Sequence, residues 1–168
     1  LIQNLYVLSS HVQILCFTTK GKVFWLKVYE IPVASRISKG RPLVNMLNLD
    51  DDERVSEILP VEEFSDKHFI FMATRKGITK KTNLSLFARK WKSGIKAINL
   101  DDDDRLIGTA ITDGSKEILL ASSAGKLIRF KESKVRAMGR TARGVKGIKL
   151  KKGQKLISLN VADPSKTI

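Results

Sequence analysis

Nine cationic side chains fall in three short clusters: Arg36, Lys39 and Arg41; Arg89, Lys90 and Lys92; and Arg136, Arg140 and Arg143. A guanidinium offers parallel N–H donors in a fixed fork that matches a phosphate, and an ammonium adds a compact point charge. The chemistry such clusters can do is to hold polyanions. Lys80, Lys81, Arg129, Lys131, Lys134 and Lys146 extend the candidate set. Other chemistry finds no vehicle. Cys16 is the single cysteine, and His11 and His68 stand far apart, so neither a disulfide nor a Cys/His zinc site can form within the chain. Two acidic runs, Asp50 to Glu53 and Asp101 to Asp104, lack the spaced Asp-x-Asp-x-Asp-Gly order of a calcium loop. Lys151-Lys152-Gly153-Gln154 occupies the corresponding place later in the chain, which marks all three as solvated turns. There is no phosphate loop and no nucleophile elbow. Tyr6 and Tyr29 lie in strand-like runs and are expected to pack, so no residue is assigned to catalysis, to a cofactor or to a metal.

The charge is large and uneven. Lys and Arg number 31 against 17 Asp and Glu in 168 residues, a formal net charge of +14. Residues 113–168 carry net +10 of it and residues 1–112 net +4. Phosphates neutralised by Lys or Arg release condensed counterions, so such a field favours nucleic acid without reading its sequence. Lysine also keeps all-β proteins soluble and blunts strand edges. Clustering at one recurring position points beyond that bland role. Aromatic residues are only 7% and sit mostly inside strand runs, so stacking on single-stranded bases is not favoured. Trp91, between Lys90 and Lys92, is expected to pin its loop to the scaffold, with stacking on a ligand the alternative. No helix suits a major groove, which leaves contact with the backbone of a duplex.

The elements that must position these clusters come in repeats. ILCFTTKGKVFWLKVY, FIFMATRKGITKKT and ILLASSAGKLIRF each place two β-prone runs around a glycine, Gly21, Gly77 or Gly125, as a hairpin with a primed turn does. Further on, MLNL-DDDE-RV, AINL-DDDD-RLI and GIKL-KKGQ-KLI each set an alternating strand, a polar link and another apolar strand. Their leucines, Leu49, Leu100 and Leu150, are 51 and 50 residues apart, close to the blade period of a propeller. The chain is therefore expected to be all-β, one partial domain over 1–168 with approximate repeats 12–61, 68–112 and 117–161 of about four strands each. Between the two landmarks lie the basic loops, VASRISKGRP, SLFARKWKSG and KESKVRAMGRTARG, which a repeated scaffold would align along one rim.

Closed propellers need four to eight blades, so three units are expected to be part of a larger array. The start at Leu1 and the close at ADPSKTI read as internal points of that array. No apolar run approaches the roughly 18 residues of a membrane span. One unpaired thiol fits a reducing compartment such as the cytoplasm.

ILCFTTKGKVFWLKVYEIP, SKGRPLVNML, FMATRKGITKKT, KLIRFKESKVRAMGR and ARGVKGIKL together resemble the blades, in order, of the C-terminal domain of the A subunit of DNA gyrase, with the topoisomerase IV A subunit next closest. The resemblance implies a β-pinwheel of about six blades whose neighbours exchange strands, with duplex DNA bent around a positive outer rim. It implies a non-catalytic role in wrapping, in support of ATP-dependent negative supercoiling by a bacterial, cytoplasmic, chromosome-associated enzyme. The catalytic tyrosine, the ATP site and the magnesium carboxylates of that enzyme belong to other regions or to its B subunit. The QRRGGKG-like box that distinguishes gyrase does not occur here, and ASRISKGRP and GRTARG are only loosely similar to it. A propeller-like scaffold whose basic rim docks an acidic protein is the competing expectation.

Overall fold

The computed structural model describes residues 5–163 and 165; Leu1 and Thr167-Ile168, at the two chain ends expected to be internal points of the array, lie outside them. The described chain is built from strands, with four single-turn 3-10 segments at Val28–Glu30, Leu43–Asn45, Leu84–Phe87 and Glu132–Lys134. Three hairpins form where the sequence alternates around a glycine: β1 (Gln13–Thr18) with β2 (Lys22–Lys27), β4 (Phe69–Thr74) with β5 (Ile78–Asn83), and β8 (Glu117–Ser122) with β9 (Leu127–Lys131). Gly21 and Gly77 turn with φ of 74° and 82°, a region where a side chain would clash with its own backbone.

Each hairpin gains an antiparallel strand on the side of its first member. These are β3 (Val55–Val61), β7 (Leu106–Thr112) and β11 (Leu156–Ala162), each entered just after a polar turn. The fourth strand comes from the next repeat. β6 (Ile95–Lys96) pairs with β2, and β10 (Val145–Lys146) pairs with β5, giving the orders β3-β1-β2-β6 and β10-β5-β4-β7. The third sheet, β11-β8-β9, has no fourth strand among the described residues. Neighbouring blades therefore exchange strands as a pinwheel does. β3 packs on β7 and β7 on β11, so the sheets converge at these strands and present β6 and β10 at the opposite, outer edge.

The alternating segments before the polar turns were expected to be strands, and here the structure differs. Ladder pairing stops at Lys96 and Lys146. The next two amides converge on one acceptor: Ala97 and Ile98 donate to the Gly21 carbonyl at 2.8 and 3.2 Å, and Gly147 and Ile148 to the Gly77 carbonyl at 2.8 and 3.3 Å. A single carbonyl cannot continue a ladder, but it holds the segment so that its alternate side chains point inward. Ile98 and Leu100 thereby join Leu15, Phe17, Val23, Trp25, Ile70 and Met72 in the core between the first two blades. Ile148 and Leu150 do the same with Phe71, Ile118 and Leu120 between the second and third. The first unit's Leu43, Met46, Leu47 and Leu49 instead cover Ile14, Cys16, Phe24 and Leu26 on the far face of their own sheet.

Candidate nucleic-acid interface

The second and third basic loops run from the end of a hairpin to β6 and β10, the outer strands of the preceding sheets, so they lie along the outer edge; the first runs from the first hairpin to the Leu43–Leu49 stretch that covers the far face of its own sheet. Arg36, Lys39 and Arg41 lie in a stretch from Ile31 to Pro42 in which every residue is exposed. Arg89, Lys90 and Lys92 are exposed on the second loop. On the third, Lys131, Lys134, Arg136, Arg143 and Lys146 are exposed and Arg140 is half-buried. Arg129 is exposed on the unpaired edge of β9. The first two loops meet across a cleft of about 590 Å³ lined by Glu30, Arg41, Asn48, Lys90, Trp91 and Lys92. Trp91 remains 42% exposed there, with the Arg89 guanidinium 4.4 Å above its ring, so it is not driven into the core.

Some of these charges are already engaged. Lys90 pairs with Glu30 at 3.2 Å, Arg129 with Glu117 at 3.2 Å and Arg143 with Asp101 at 3.3 Å. Among the described residues no carboxylate pairs with Arg36, Lys39, Arg41, Lys92, Lys131, Lys134, Arg136, Arg140 or Lys146, so the outer edge keeps its positive field. The hairpin-turn end is different. Lys20 and Lys22 pair with Asp50, Asp52 and Glu53, and Lys76 with Asp103. These lysines hold the Asp50, Asp52 and Asp103 carboxyls below the ordinary carboxylate range, chiefly by direct hydrogen bonds.

Lys80 and Lys81 require a correction. They were expected to reach phosphate, yet their residues are 0% and 7% exposed. The Lys80 ammonium donates to the Ala97 carbonyl at 2.7 Å and to that of Arg140, and Lys81 donates to the Glu132 carbonyl at 3.2 Å. Burial, with the Arg140 charge nearby, pushes the Lys80 ammonium down to about 8. The cause is packing on both faces: adjacent strand residues point to opposite sides of β5, and main chain lies over each, at Ala97 and Arg140 for Lys80 and at Glu132 for Lys81, so lysines that read as polar surface are enclosed.

The acidic turns are also not wholly solvated. Asp50 to Asp52 and Asp101 to Asp103 are exposed, but Glu53 and Asp104 are each 3% exposed. Glu53 accepts from the Asp50 amide at 3.2 Å and from the Thr18 hydroxyl, and Asp104 accepts from the Lys76 and Arg105 amides at 3.0 and 2.8 Å. In the third turn the Gln154 side chain accepts from the Lys151 amide at 3.0 Å, which explains why charge is dispensable there. One exposed rim cation escaped the sequence reading: Lys96 holds in β6 the place of Lys146 in β10. Counting from Gly94 and Gly144 in register would have found it.

A protein-family profile described as DNA gyrase C-terminal domain, beta-propeller, matches residues 13–62, 68–113 and 116–163. The chain is 52% identical over 158 residues to the DNA gyrase A subunit of Salmonella typhimurium, covering 94% of this chain and 18% of that protein. It is 49% identical over 160 residues to the DNA gyrase A subunit of Escherichia coli, covering 95% of this chain and 18% of that protein. It thus spans a little under a fifth of the curated relatives it matches. Among solved structures, the C-terminal domain of DNA topoisomerase IV superposes with a TM-score of 0.84 at 31% identity, over 92% of this chain and 48% of that one. The C-terminal domain of DNA gyrase A superposes with a TM-score of 0.73 at 24% identity, over 90% and 48%, a likeness of fold.

Proposed function

Because this chain belongs to the DNA gyrase C-terminal domain family, we propose that it is a non-catalytic segment that binds duplex DNA and bends it around the outer edge of its blades. The observation that carries this is the recurrence of unpaired cations on the loops that lead into β6 and β10, while at the hairpin-turn end of the first two units Lys20, Lys22 and Lys76 are neutralised by acidic turns, the third unit's turn carrying Lys151 and Lys152 instead. A duplex laid along the loops meets guanidinium and ammonium groups at successive blades and bends to reach each of them. At the other end the same duplex would meet the exposed carboxylates of Asp50 to Asp52 and Asp101 to Asp103 at the first two blades.

Within the complete parent protein, such bending would present a DNA segment for ATP-dependent strand passage and so support negative supercoiling. The dimer of gyrase A chains and the gyrase B subunit would supply cleavage and ATP turnover, in the bacterial cytoplasm on the chromosome. The family profile and identities near 50% to gyrase A chains favour gyrase over topoisomerase IV as the parent enzyme.

The test is binding of a duplex of about 40 base pairs across a salt series, with random and A-tract sequences side by side. With six or more rim contacts, affinity should fall about a thousandfold between 50 and 200 mM salt, with little dependence on sequence. Indifference of the folded protein to DNA at low salt would sink the proposal and leave a scaffold for an acidic protein.

A further inference from the structure

Counted from the hairpin glycine, Lys80 and Lys81 of β5 stand where Phe24 and Trp25 stand in β2, and the two pairs grip the following unit at matching places. The Trp25 indole N–H donates to the Phe87 carbonyl at 2.8 Å, at the 3-10 turn that opens the second basic loop. The Lys81 ammonium donates to the Glu132 carbonyl, at the 3-10 turn that opens the third. The Phe24 ring lies against Gly94, with ring atoms 2.7 Å from where a Cβ would stand, and the Lys80 Cβ lies 3.2 Å from the same point on Gly144. One blade therefore holds its neighbour's loop with two aromatic rings and the next with two ammonium groups.

The exchange changes what is held. A ring fills space, whereas a buried ammonium must find acceptors, and here they are main-chain carbonyls. Lys80 ties Ala97 to Arg140, Lys81 takes Glu132, the Met138 amide donates to the Lys81 carbonyl at 2.8 Å, and Lys81 bridges Ala137 in parallel. No arginine side chain is spent on the grip, so Arg136 stays exposed and Arg140 half-exposed. By contrast, the main-chain hydrogen bonds of loop 31–42 among the described residues are local, such as Ser38 to Ser35 at 3.0 Å.

We propose that Lys80 and Lys81 are positioning residues that fasten the backbone of loop 132–140 and so pre-organise its arginines for the phosphates of DNA. What the loop is presented to rests on the function proposed above; the fastening does not. Pre-organisation raises affinity by cutting the ordering cost of binding, without adding a contact.

The experiment compares wild type, Lys80→Met, Lys81→Met, Lys81→Arg and the triple variant Arg136→Ala, Arg140→Ala, Arg143→Ala. It reads amide hydrogen exchange of residues 132–143 and duplex affinity across salt, at denaturant midpoints that certify folding. Each Met variant should lose at least about tenfold protection at Met138 and bind roughly 3- to 10-fold more weakly, with the salt slope unchanged. Lys81→Arg, which keeps a charged donor, should retain both. The triple variant should lose about two to three units of slope with protection intact. Unchanged exchange in both Met variants overturns the fastening, as does a slope that falls by about one per lysine with protection intact, the mark of direct phosphate contact. Lost protection with unchanged affinity overturns the positioning role. If a Met variant does not fold, loss of loop protection in folded Lys81→Arg, with its global stability retained, overturns the proposal. Unchanged DNA binding by the triple variant removes this loop from the DNA contact surface, while the exchange data still decide the fastening.

Discussion

Gly77→Ala and Gly125→Ala form a matched pair that isolates the energetics of strand exchange. Both glycines turn a hairpin at positive φ, 82° and 70°. An L-residue there costs roughly 1–2 kcal/mol whatever surrounds it. The surroundings differ. A methyl on Gly77 would stand 2.8 Å from Ile148 Cγ2 and 3.0 Å from the Ile148 carbonyl oxygen, in the segment that follows β10, while a methyl on Gly125 would meet nothing within 4 Å. Relieving the overlap at Gly77 means moving that segment and its buried isoleucine, which adds roughly 1–3 kcal/mol. At about 2–4 °C per kcal/mol for a chain of this size, Gly125→Ala should lower Tm by about 2–8 °C and Gly77→Ala by about 4–20 °C, with the Gly77 loss the larger of the two. Gly21→Ala, 2.8 Å from Ile98 Cγ2, should behave as Gly77→Ala does. Calorimetry gives the midpoints, and hydrogen exchange at the Gly147 and Ile148 amides shows whether the incoming segment is released. Equal losses at Gly77 and Gly125 would refute the view that the donated segment is seated tightly on the preceding hairpin.

Three further outcomes are expected. Trp25→Phe keeps the ring but leaves the buried Phe87 carbonyl without its donor, so a urea titration should read a loss of about 1–3 kcal/mol; no loss would mean that water replaces the indole. Burial pushes the Cys16 thiol up to about 12, so a thiol reagent at pH 8 should label it only after unfolding, and fast labelling of native protein would contradict its place in the first sheet. Lys80 titrates near 8 when folded and near 10.5 when unfolded, so between those values the unfolded chain holds more protons and this group's contribution to stability rises with pH. Wild type should therefore gain on Lys80→Met by up to about 3 kcal/mol from pH 8 to pH 10.5, read from urea midpoints; a constant difference would contradict the buried ammonium.

The hairpins were legible because their signal is local: a glycine between two alternating runs, three times over. The donated strands were not. Ile95–Lys96 and Val145–Lys146 are too short to show a period, and the partners of the first, Lys22 and Val23, lie more than seventy residues away. The alternation that follows them was visible, but alternation reports which side chains turn inward and is silent on whether a ladder or a single carbonyl holds the backbone. ITKKTN likewise reads as a polar strand, and its enclosure follows only from aligning Lys80 and Lys81 with the apolar pair Phe24 and Trp25 of the sister hairpin. The exposed loops were easier, since charge density and loss of strand pattern coincide from Val33 to Arg41 and from Arg136 to Arg143. Which of their cations are engaged depends on carboxylates from other units, as Asp101 is for Arg143, and one sequence read in order does not display such pairs.

The exchange of β6 also sets a schedule for synthesis. When Lys27 leaves the ribosome the outer edge of β2 is bare, and it stays so until Lys96 has been made. At about 5–20 residues per second that interval is roughly 3–14 s, long compared with the microseconds a hairpin needs to form. Nascent chains on one messenger would carry such edges side by side, open to pairing with each other. Timely arrival of the next repeat, rather than the intrinsic strength of the first hairpin, then guards the nascent blade against misassembly.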